Sequence, residues 1–151
     1  MKKETNKIEI VEQTVADTAI LVKVNSLLKQ LTNNVQLKMQ DLEDIINSTN
    51  SHLFIIRCNE NVAGMLSIGS YQTPTGKKFW IEDVIVDDTF QGKSLGKKLI
   101  QYAIDYIAGQ GNSTLMLTSN PKRIAANSLY QSVGFERKET NVYKMVFEKN
   151  E

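Results

Sequence analysis

The first strongly periodic segment of the chain follows Asp17, a residue type that favours the N-cap of a helix. Apolar side chains then recur at spacings typical of one face of an α-helix. These residues are Ile20, Leu21, Val24, Leu27, Leu28 and Leu31. We therefore predict an amphipathic helix here. A weak alternation over Ile8–Val11 indicates a short strand before it, and Asp41–Ile46 indicates a second, short helix after it.

Three segments rich in β-branched and aromatic residues follow, and each is typical of a strand: His52–Arg57, Val62–Tyr71 and Lys77–Asp87. Short stretches of turn-forming residues separate them, Asn59–Asn61 and then Pro74–Gly76. Strands in series with such short connections favour antiparallel neighbours. The middle of the chain is therefore predicted to be an antiparallel meander.

The period changes again after Phe90, where an amphipathic helix is predicted to end at Gly109 or Gly111. Its apolar stripe consists of Leu95, Leu99, Ala103, Tyr106 and Ile107. Ser113–Thr118 is predicted to be the next strand. A strand, a helix and a further strand in this order normally form a crossover that joins two parallel strands.

The last predicted elements are a helix over Arg123–Val133, which ends before Gly134, and a strand over Tyr143–Glu148. Helices and strands thus follow one another along the whole chain, with no internal repeat and no linker. We expect an α/β or α+β fold with a mixed sheet, and residues 1–151 as a single domain.

Composition excludes several classes of protein and site. The 18 basic and 17 acidic residues leave a net charge of +1, which does not favour a nucleic-acid surface. Cys58 and His52 are the sole cysteine and the sole histidine, so neither an internal disulfide nor a cysteine-based zinc site is expected. The polar start Met1–Lys7 is unlike a secretory signal, and no apolar run is long enough to span a membrane. We expect a soluble, cytoplasmic protein.

The segment Gln91–Lys98 carries the clearest chemical signal. A turn that contains glycine and opens a helix presents unpaired N–H groups, which together with the helix dipole can bind an anion. A plain turn with a basic helix start is the alternative. Two nucleotide motifs do not fit. A Walker A loop needs a glycine where Asp87 stands, and the glycine spacing does not match the dinucleotide fingerprint.

Ile81–Asp87 followed by Phe90–Ile100 resembles the acetyl-CoA motif of the GNAT superfamily of N-acetyltransferases, Gln/Arg-x-x-Gly-x-Gly/Ala. Gln91 and Gly96 match this pattern, whereas Ser94 stands where the family usually has glycine. The segment Arg123–Phe135 is similar to a second family motif, a helix that ends in Ala-x-x-Leu/Phe-Tyr-x-x-x-Gly-Phe. The resemblance implies a mixed, mostly antiparallel sheet of six to seven strands flanked by about four helices.

The resemblance also implies transfer of an acetyl group from acetyl-CoA, as co-substrate, to a primary amine, with no metal. A bulge would splay the fourth and fifth strands, and the pantetheine arm would lie against strand backbone. The residues implied in cofactor binding are Val84, Ile85 and Val86, then Gln91, Gly92, Lys93, Ser94, Leu95, Gly96 and Lys97 around the pyrophosphate, and Arg123 and Asn127.

Two side chains are predicted to be catalytic by the same resemblance. Tyr130 would protonate the CoA thiolate as it leaves, and a packed aromatic residue is the alternative for it. Glu82 would remove a proton from the acceptor amine. Strand alternation predicts that Glu82 and Asp83 point to opposite sides of the sheet, so only one of them can face the acceptor, and Asp83 is the alternative base.

The acceptor is left open: a small amine such as an amino sugar, polyamine, antibiotic or amino acid, or a protein amine. We expect its site in the first two helices and the loop Tyr71–Lys78, with Trp80 either lining it or packed in the core. Many family members dimerise, so a homodimer is one expectation. The alternative function is a regulatory module that binds CoA or acetyl-CoA without efficient transfer. A domain that binds nucleic acid is disfavoured by the charge balance.

Overall fold

The computed structural model describes residues 5–149 and divides into two compact units, one ending at Thr118 and the other beginning at Ser119. The first unit contains β1 (Ile8–Glu12), α1 (Thr18–Leu31), α2 (Met39–Asn47), β2 (Ser51–Cys58), β3 (Asn61–Thr73), β4 (Gly76–Val86), a 3-10 turn (Asp88–Phe90), α3 (Leu95–Ala108) and β5 (Thr114–Met116). The second contains α4 (Ile124–Ser132). Within residues 5–149, no helix combines the length and the apolar character that a membrane crossing requires.

The predicted N-cap of α1 is confirmed, since the Asp17 carboxylate accepts a hydrogen bond from the N–H of Ile20 at 2.8 Å. Most of the apolar stripe of α1 is buried together with α2 and one face of the sheet, whereas Leu31 at the end of the helix is exposed. The buried members of this core are Ile20, Val24, Leu27, Leu28, Leu42, Leu53, Ile55 and Met65. Burial of the stripe is what makes the amphipathic pattern a stable helix.

The five strands lie in the order β1-β2-β3-β4-β5, and the first three pairings are antiparallel. The pairing of β4 with β5 is parallel, and α3 is the crossover between them. The predicted meander and crossover are therefore confirmed. On the sheet face opposite α1 and α2, the ring of Phe54 packs edge-on against Tyr102 and Tyr106 of α3.

The predicted strand count is wrong by at least one, because Tyr143–Glu148 forms no strand. Its apolar side chains are largely exposed, with Tyr143 at 89% and Phe147 at 87%. Alternating β-branched and aromatic residues supply only a propensity, and a strand also needs a hydrogen-bonded neighbour. In the part of the chain that the structure describes, this segment has none. The sheet is otherwise mixed and mostly antiparallel, as expected.

Candidate active site

A β-bulge interrupts β4 where the resemblance predicts one. Ser67 of β3 pairs with Glu82, whereas Met65, two residues away, pairs with Ile85, so β4 contains one extra residue between these pairs. Asp83 lies in this stretch with a φ of +50°, in the left-handed region. The side-chain alternation expected at Asp83 is therefore broken, and Glu82 and Asp83 are both exposed.

Beyond the bulge, the edge of β4 that faces β5 is open. The two strands pair only over Lys78–Trp80 and Thr114–Met116. Val84, Ile85 and Val86, which are half-buried, therefore have no ladder partner on that side within residues 5–149. Their other edge is held close to β3, because a Cβ on Gly64 would lie 2.5 Å from the carbonyl oxygen of Ile85. Only glycine allows this approach of the two backbones.

The turn after β4 is held by side chains at both of its ends. The Asp87 carboxylate accepts hydrogen bonds from the N–H of Thr89 at 3.0 Å and from its hydroxyl at 2.9 Å. The backbone bond is the main reason why the pKa of Asp87 lies below its usual value. At the other end, Nε2 of Gln91 donates to the carbonyl of Val86 at 3.1 Å. Gln91, predicted as a cofactor residue, thus also ties the turn to β4.

A run of backbone N–H groups lies at the start of α3. The first capping bond runs from Lys98 N to Ser94 O at 3.1 Å. Within residues 5–149, no acceptor pairs with the N–H groups of the six residues before Lys98, which are Gly92, Lys93, Ser94, Leu95, Gly96 and Lys97. The side chains of Lys93 and Lys97 are exposed beside them. Unpaired N–H groups at the positive end of a helix dipole are suited to binding a phosphate.

Backbone conformation shapes this turn. Gly92 has φ +81° and Ser94 has φ +58°, and neither residue is in the region that L side chains prefer. Left-handed residues in a turn aim neighbouring N–H groups into one concave anion site. Leu95 contributes its N–H only, because its side chain is 2% exposed and belongs to the core. A Cβ on Gly96 would lie 3.8 Å from Val86, an ordinary contact, so packing within the chain does not require glycine there.

The Glu82 carboxyl has a pKa raised above its ordinary value. The larger cause is desolvation, and the neighbouring charge of Asp83 adds to it. A raised pKa makes a carboxylate a stronger base, which is the property that its predicted role needs. Within residues 5–149, no three His, Cys, Asp or Glu side chains are grouped to hold a metal ion.

In the second unit, the motif around Tyr130 is the C-terminal cap of α4. The N–H of Phe135 donates to the carbonyl of Tyr130 at 3.0 Å, and the N–H of Gly134 donates to that of Gln131 at 3.1 Å. Gly134 has φ +109°, and the Tyr130 and Phe135 rings meet edge-on at 6.1 Å. These are the features of a Schellman motif with its hydrophobic contact. Tyr130 is buried, with 8% of its surface exposed.

The other two residues predicted on α4 differ in placement. Arg123 is the N-cap residue of α4, with ψ 69°, rather than the first residue of the helix as the sequence predicts. Asn127 uses its Nδ2 group locally and donates to the carbonyls of Asn120 and Arg123, both at 2.9 Å. Its Oδ1 atom is then the group left to accept a bond from a ligand.

Two relationships at the site were missed from the sequence. The Gln30 side chain of α1 accepts a hydrogen bond from the backbone of Asp88, and no local pattern marks a pair so far apart. Trp80 Nε1 donates to the Tyr71 hydroxyl at 2.9 Å. The predicted hairpin places these two residues on neighbouring strands, so its register could have suggested the second pair.

A model of the family described as Acetyltransferase (GNAT) family matches residues 24–135. The chain belongs to the GNAT family. Human N-acetyltransferase 8 is 26% identical over 103 residues, which are 64% of this chain and 45% of that protein. In general, the matches span less than half the length of the curated relatives.

Solved structures of the family share the fold across nearly the whole of this GNAT chain. An aminoglycoside acetyltransferase from an uncultured soil metagenomic sample, in complex with trehalose, has a TM-score of 0.77 at 19% identity and covers 95% of this chain and 97% of its own. An aminoglycoside N-acetyltransferase in complex with CoA has a TM-score of 0.75 at 16% identity, with coverage of 97% and 99%. At these identities the likeness establishes the fold alone.

Proposed function

We propose that this chain is an N-acetyltransferase that moves an acetyl group from acetyl-CoA directly to a primary amine. The observation that carries the proposal is the run of unpaired N–H groups from Gly92 to Lys97, directly after a bulged strand with an open edge. Family membership and a structural neighbour in complex with CoA support it.

The residues fit the co-substrate in three ways. The N–H groups at the start of α3 would bind the pyrophosphate, with Lys93 and Lys97 adding charge. The open edge at Val84, Ile85 and Val86 would pair with the amides of the pantetheine arm, as a strand would. Arg123 and the Oδ1 atom of Asn127 are proposed as further contacts of the second unit. When bound, acetyl-CoA supplies the reactive thioester.

The transfer needs three proton movements, two away from the acceptor nitrogen and one onto the departing sulfur. Glu82 would take a proton from the acceptor ammonium, directly or through a water molecule, and free the nitrogen lone pair. The nitrogen then forms the new C–N bond at the acetyl carbonyl carbon as the C–S bond breaks, and the electron pair of that bond leaves with sulfur. The nitrogen releases its second proton to water and becomes the neutral amide. Tyr130 would donate its phenolic proton to the departing thiolate. Solvent exchange restores both groups for the next cycle.

The alternative is a module that binds CoA without efficient transfer, and Ser94 is the observation that favours it. A φ of +58° is unstrained for glycine but costs free energy for serine, so this turn lacks the residue type that best tolerates its backbone conformation. Efficient turnover on any amine would exclude this alternative.

The proposal is tested by titrating CoA in a calorimeter and by following thiol release from acetyl-CoA with a panel of amines. Gly96→Asp should abolish both signals, because it places a negative charge among the N–H groups. Gly96→Ala is the matched control and should retain binding, since its Cβ has room beside Val86. Unchanged CoA affinity in Gly96→Asp would contradict the site, and CoA binding without turnover would favour the module.

A further inference from the structure

One face of the sheet is only partly covered by helices. Cross-strand pairing places Leu53 beside Ser67 and Ser51 beside Gly69, so these positions follow one another along the face that packs on α1 and α2. Leu53 is 4% exposed and belongs to the core that α1 and α2 cover. At Gly69 this cover has ended, because a Cβ built there would meet no atom of residues 5–149 within 4 Å apart from its chain neighbours.

The same face continues onto β4. Gly69 pairs with Trp80, and Ser67 pairs with Glu82. The four side-chain positions therefore lie in two adjacent rows, about 7 Å apart along the strands. Phe79 and Ile81 alternate with Trp80 and Glu82 along β4, so their buried side chains point to the opposite face of the sheet. The uncovered area thus contains the backbone of Gly69, with the Trp80 indole beside it and the Glu82 carboxylate at the end nearer the bulge.

The indole is held in place rather than loose on the surface. Trp80 Nε1 donates to the hydroxyl of Tyr71 at 2.9 Å, and Tyr71 is 47% exposed. Tyr71 and Trp80 together form an aromatic wall beside Gly69. A glycine inside a strand often marks a place where a ligand approaches the backbone closely, and a fixed aromatic wall supplies contact area at little entropic cost.

We propose that this area, which we call the Gly69 shelf (Gly69, Tyr71, Trp80 and Glu82), binds the acceptor, and that the acceptor carries its amine on a ring. This inference rests on the proposed acetyl transfer. A ring of five or six atoms fits between the two rows, with one face on Trp80 and its ammonium group toward Glu82. That carboxylate complements the positive charge, and the aromatic faces attract it as well.

The Gly69 shelf lies next to the part of β4 where the acetyl group of the co-substrate is expected. Glu82 is the last residue of β4 before the bulge, and Val84–Val86 follow as the proposed pantetheine contact. An amine held at Glu82 would therefore lie at the mouth of the opening beside which the thioester is expected. A linear alkylamine would reach Glu82 equally well but would lose most of the contact with Trp80. We expect a preference of about tenfold in kcat/KM for the ring-bearing amine.

The test compares cyclohexylamine and glucosamine, in which the amine is attached to a ring, with n-hexylamine. Trp80 is the sole tryptophan of the chain, so its fluorescence reports binding at the shelf whether or not acetyl transfer occurs. In the presence of CoA, at least one ring-bearing amine should change the emission, and n-hexylamine should do so only at about tenfold higher concentration.

Gly69→Val is the decisive variant. Its side chain has free space, no positive φ is found at this position, and valine favours strands, so folding and CoA affinity should be retained. KM for the ring-bearing amine should rise about tenfold or more because the shelf is filled. Asn61→Val on the same strand is the control, since Asn61 is exposed and lies at the other end of β3, where it pairs with Cys58.

The outcomes separate the two proposals. If the wild-type chain transfers acetyl groups but Gly69→Val leaves KM and fluorescence unchanged for every amine, the shelf is not the acceptor site. If linear amines are preferred, the ring requirement is wrong. If no amine is acetylated although ring-bearing amines still change the Trp80 emission and Gly69→Val abolishes the change, the proposed transfer fails while the shelf stands as an amine-binding site.

Discussion

The side-chain carbonyl of Gln30, near the end of α1, accepts a hydrogen bond from the backbone N–H of Asp88 at 3.0 Å, across 58 residues of sequence. A hydrogen bond from the side-chain amide of Gln30 also helps to lower the pKa of Asp87, although the hydrogen bonds from Thr89 contribute more. Gln30 thus connects α1 to the turn that precedes the N–H groups proposed to bind phosphate.

Gln30→Ala should weaken CoA binding about five- to tenfold, because loss of one hydrogen bond of about 1 kcal/mol loosens the turn before Gly92. Titration calorimetry with CoA measures this effect. Since Gln30 acts on the turn and not on the acceptor, kcat and the acceptor KM should stay near their wild-type values. Gln40→Ala is the control, because it breaks only a bond to Asp44 within α2. Equal CoA affinities in both variants would contradict a positioning role.

Ser94→Gly should raise the free energy of unfolding by about 0.5–1 kcal/mol, because φ +58° is strained for serine and free for glycine. Urea denaturation measures the change. Ser94→Ala retains the strain and removes only the hydroxyl, so a loss of CoA affinity in this variant alone would assign a phosphate contact to that hydroxyl. A less stable Ser94→Gly variant would show that the turn has a different conformation in solution.

Gly134→Ala should destabilise the chain by about 1–2 kcal/mol, since a side chain at φ +109° strains the cap that joins Phe135 to Tyr130. Gly109→Ala is the matched control. Gly109 has φ −79°, and its Cβ would lie 3.6 Å from Tyr106 O, so stability should change by less than about 0.5 kcal/mol. Thermal unfolding compares the two, and equal losses would argue against the cap.

Tyr130→Phe should lower kcat by about 10²-fold, the size of a typical general-acid contribution. The ring and its edge-on contact with Phe135 are retained, so CoA affinity and stability should stay close to the wild type. Steady-state kinetics with acetyl-CoA and the best amine of the panel separates the effect on kcat from the effect on CoA affinity. A parallel loss of kcat and CoA affinity would instead assign Tyr130 to cofactor packing.

The pH dependence of transfer should report Glu82. Because its pKa is raised, the basic form is lost as the pH falls through a value above the ordinary one, and kcat/KM should decline there. Asp83→Asn removes the neighbouring charge and should move this decline to lower pH. Glu82→Gln should remove the decline together with most of the rate. An unchanged profile in both variants would show that another group is the base.

The free energy of unfolding should depend on Glu82 in the opposite direction to the transfer rate, because protonation of Glu82 at low pH favours the folded state. A raised pKa in the folded state means that its stabilising contribution is present at low pH and is lost as the pH rises through the folded pKa. Glu82→Gln should therefore be somewhat more stable than the wild type at neutral pH, and this difference should vanish in acid. Urea denaturation at the two pH values measures this effect.

The sequence by itself determined the elements whose signals are local. The Asp17 cap, the apolar stripes of α1 and α3, the meander and the crossover follow from side-chain period and turn chemistry. The anion site at the turn Gln91–Lys98 stays a prediction. The same reasoning failed for Tyr143–Glu148, because strand propensity does not supply a pairing partner.

Only the tertiary structure decided the relationships that join distant positions. Four features depend on the register between neighbouring elements. They are the extra residue at Asp83, the approach of Ile85 to Gly64, the hydrogen bond between Gln30 and Asp88, and the uncovered position of Gly69. Periodicity indicates which face of an element is apolar, but it does not indicate which residue of the next element lies opposite. Register is set by the packing of all elements together, so these features appear only in the folded chain.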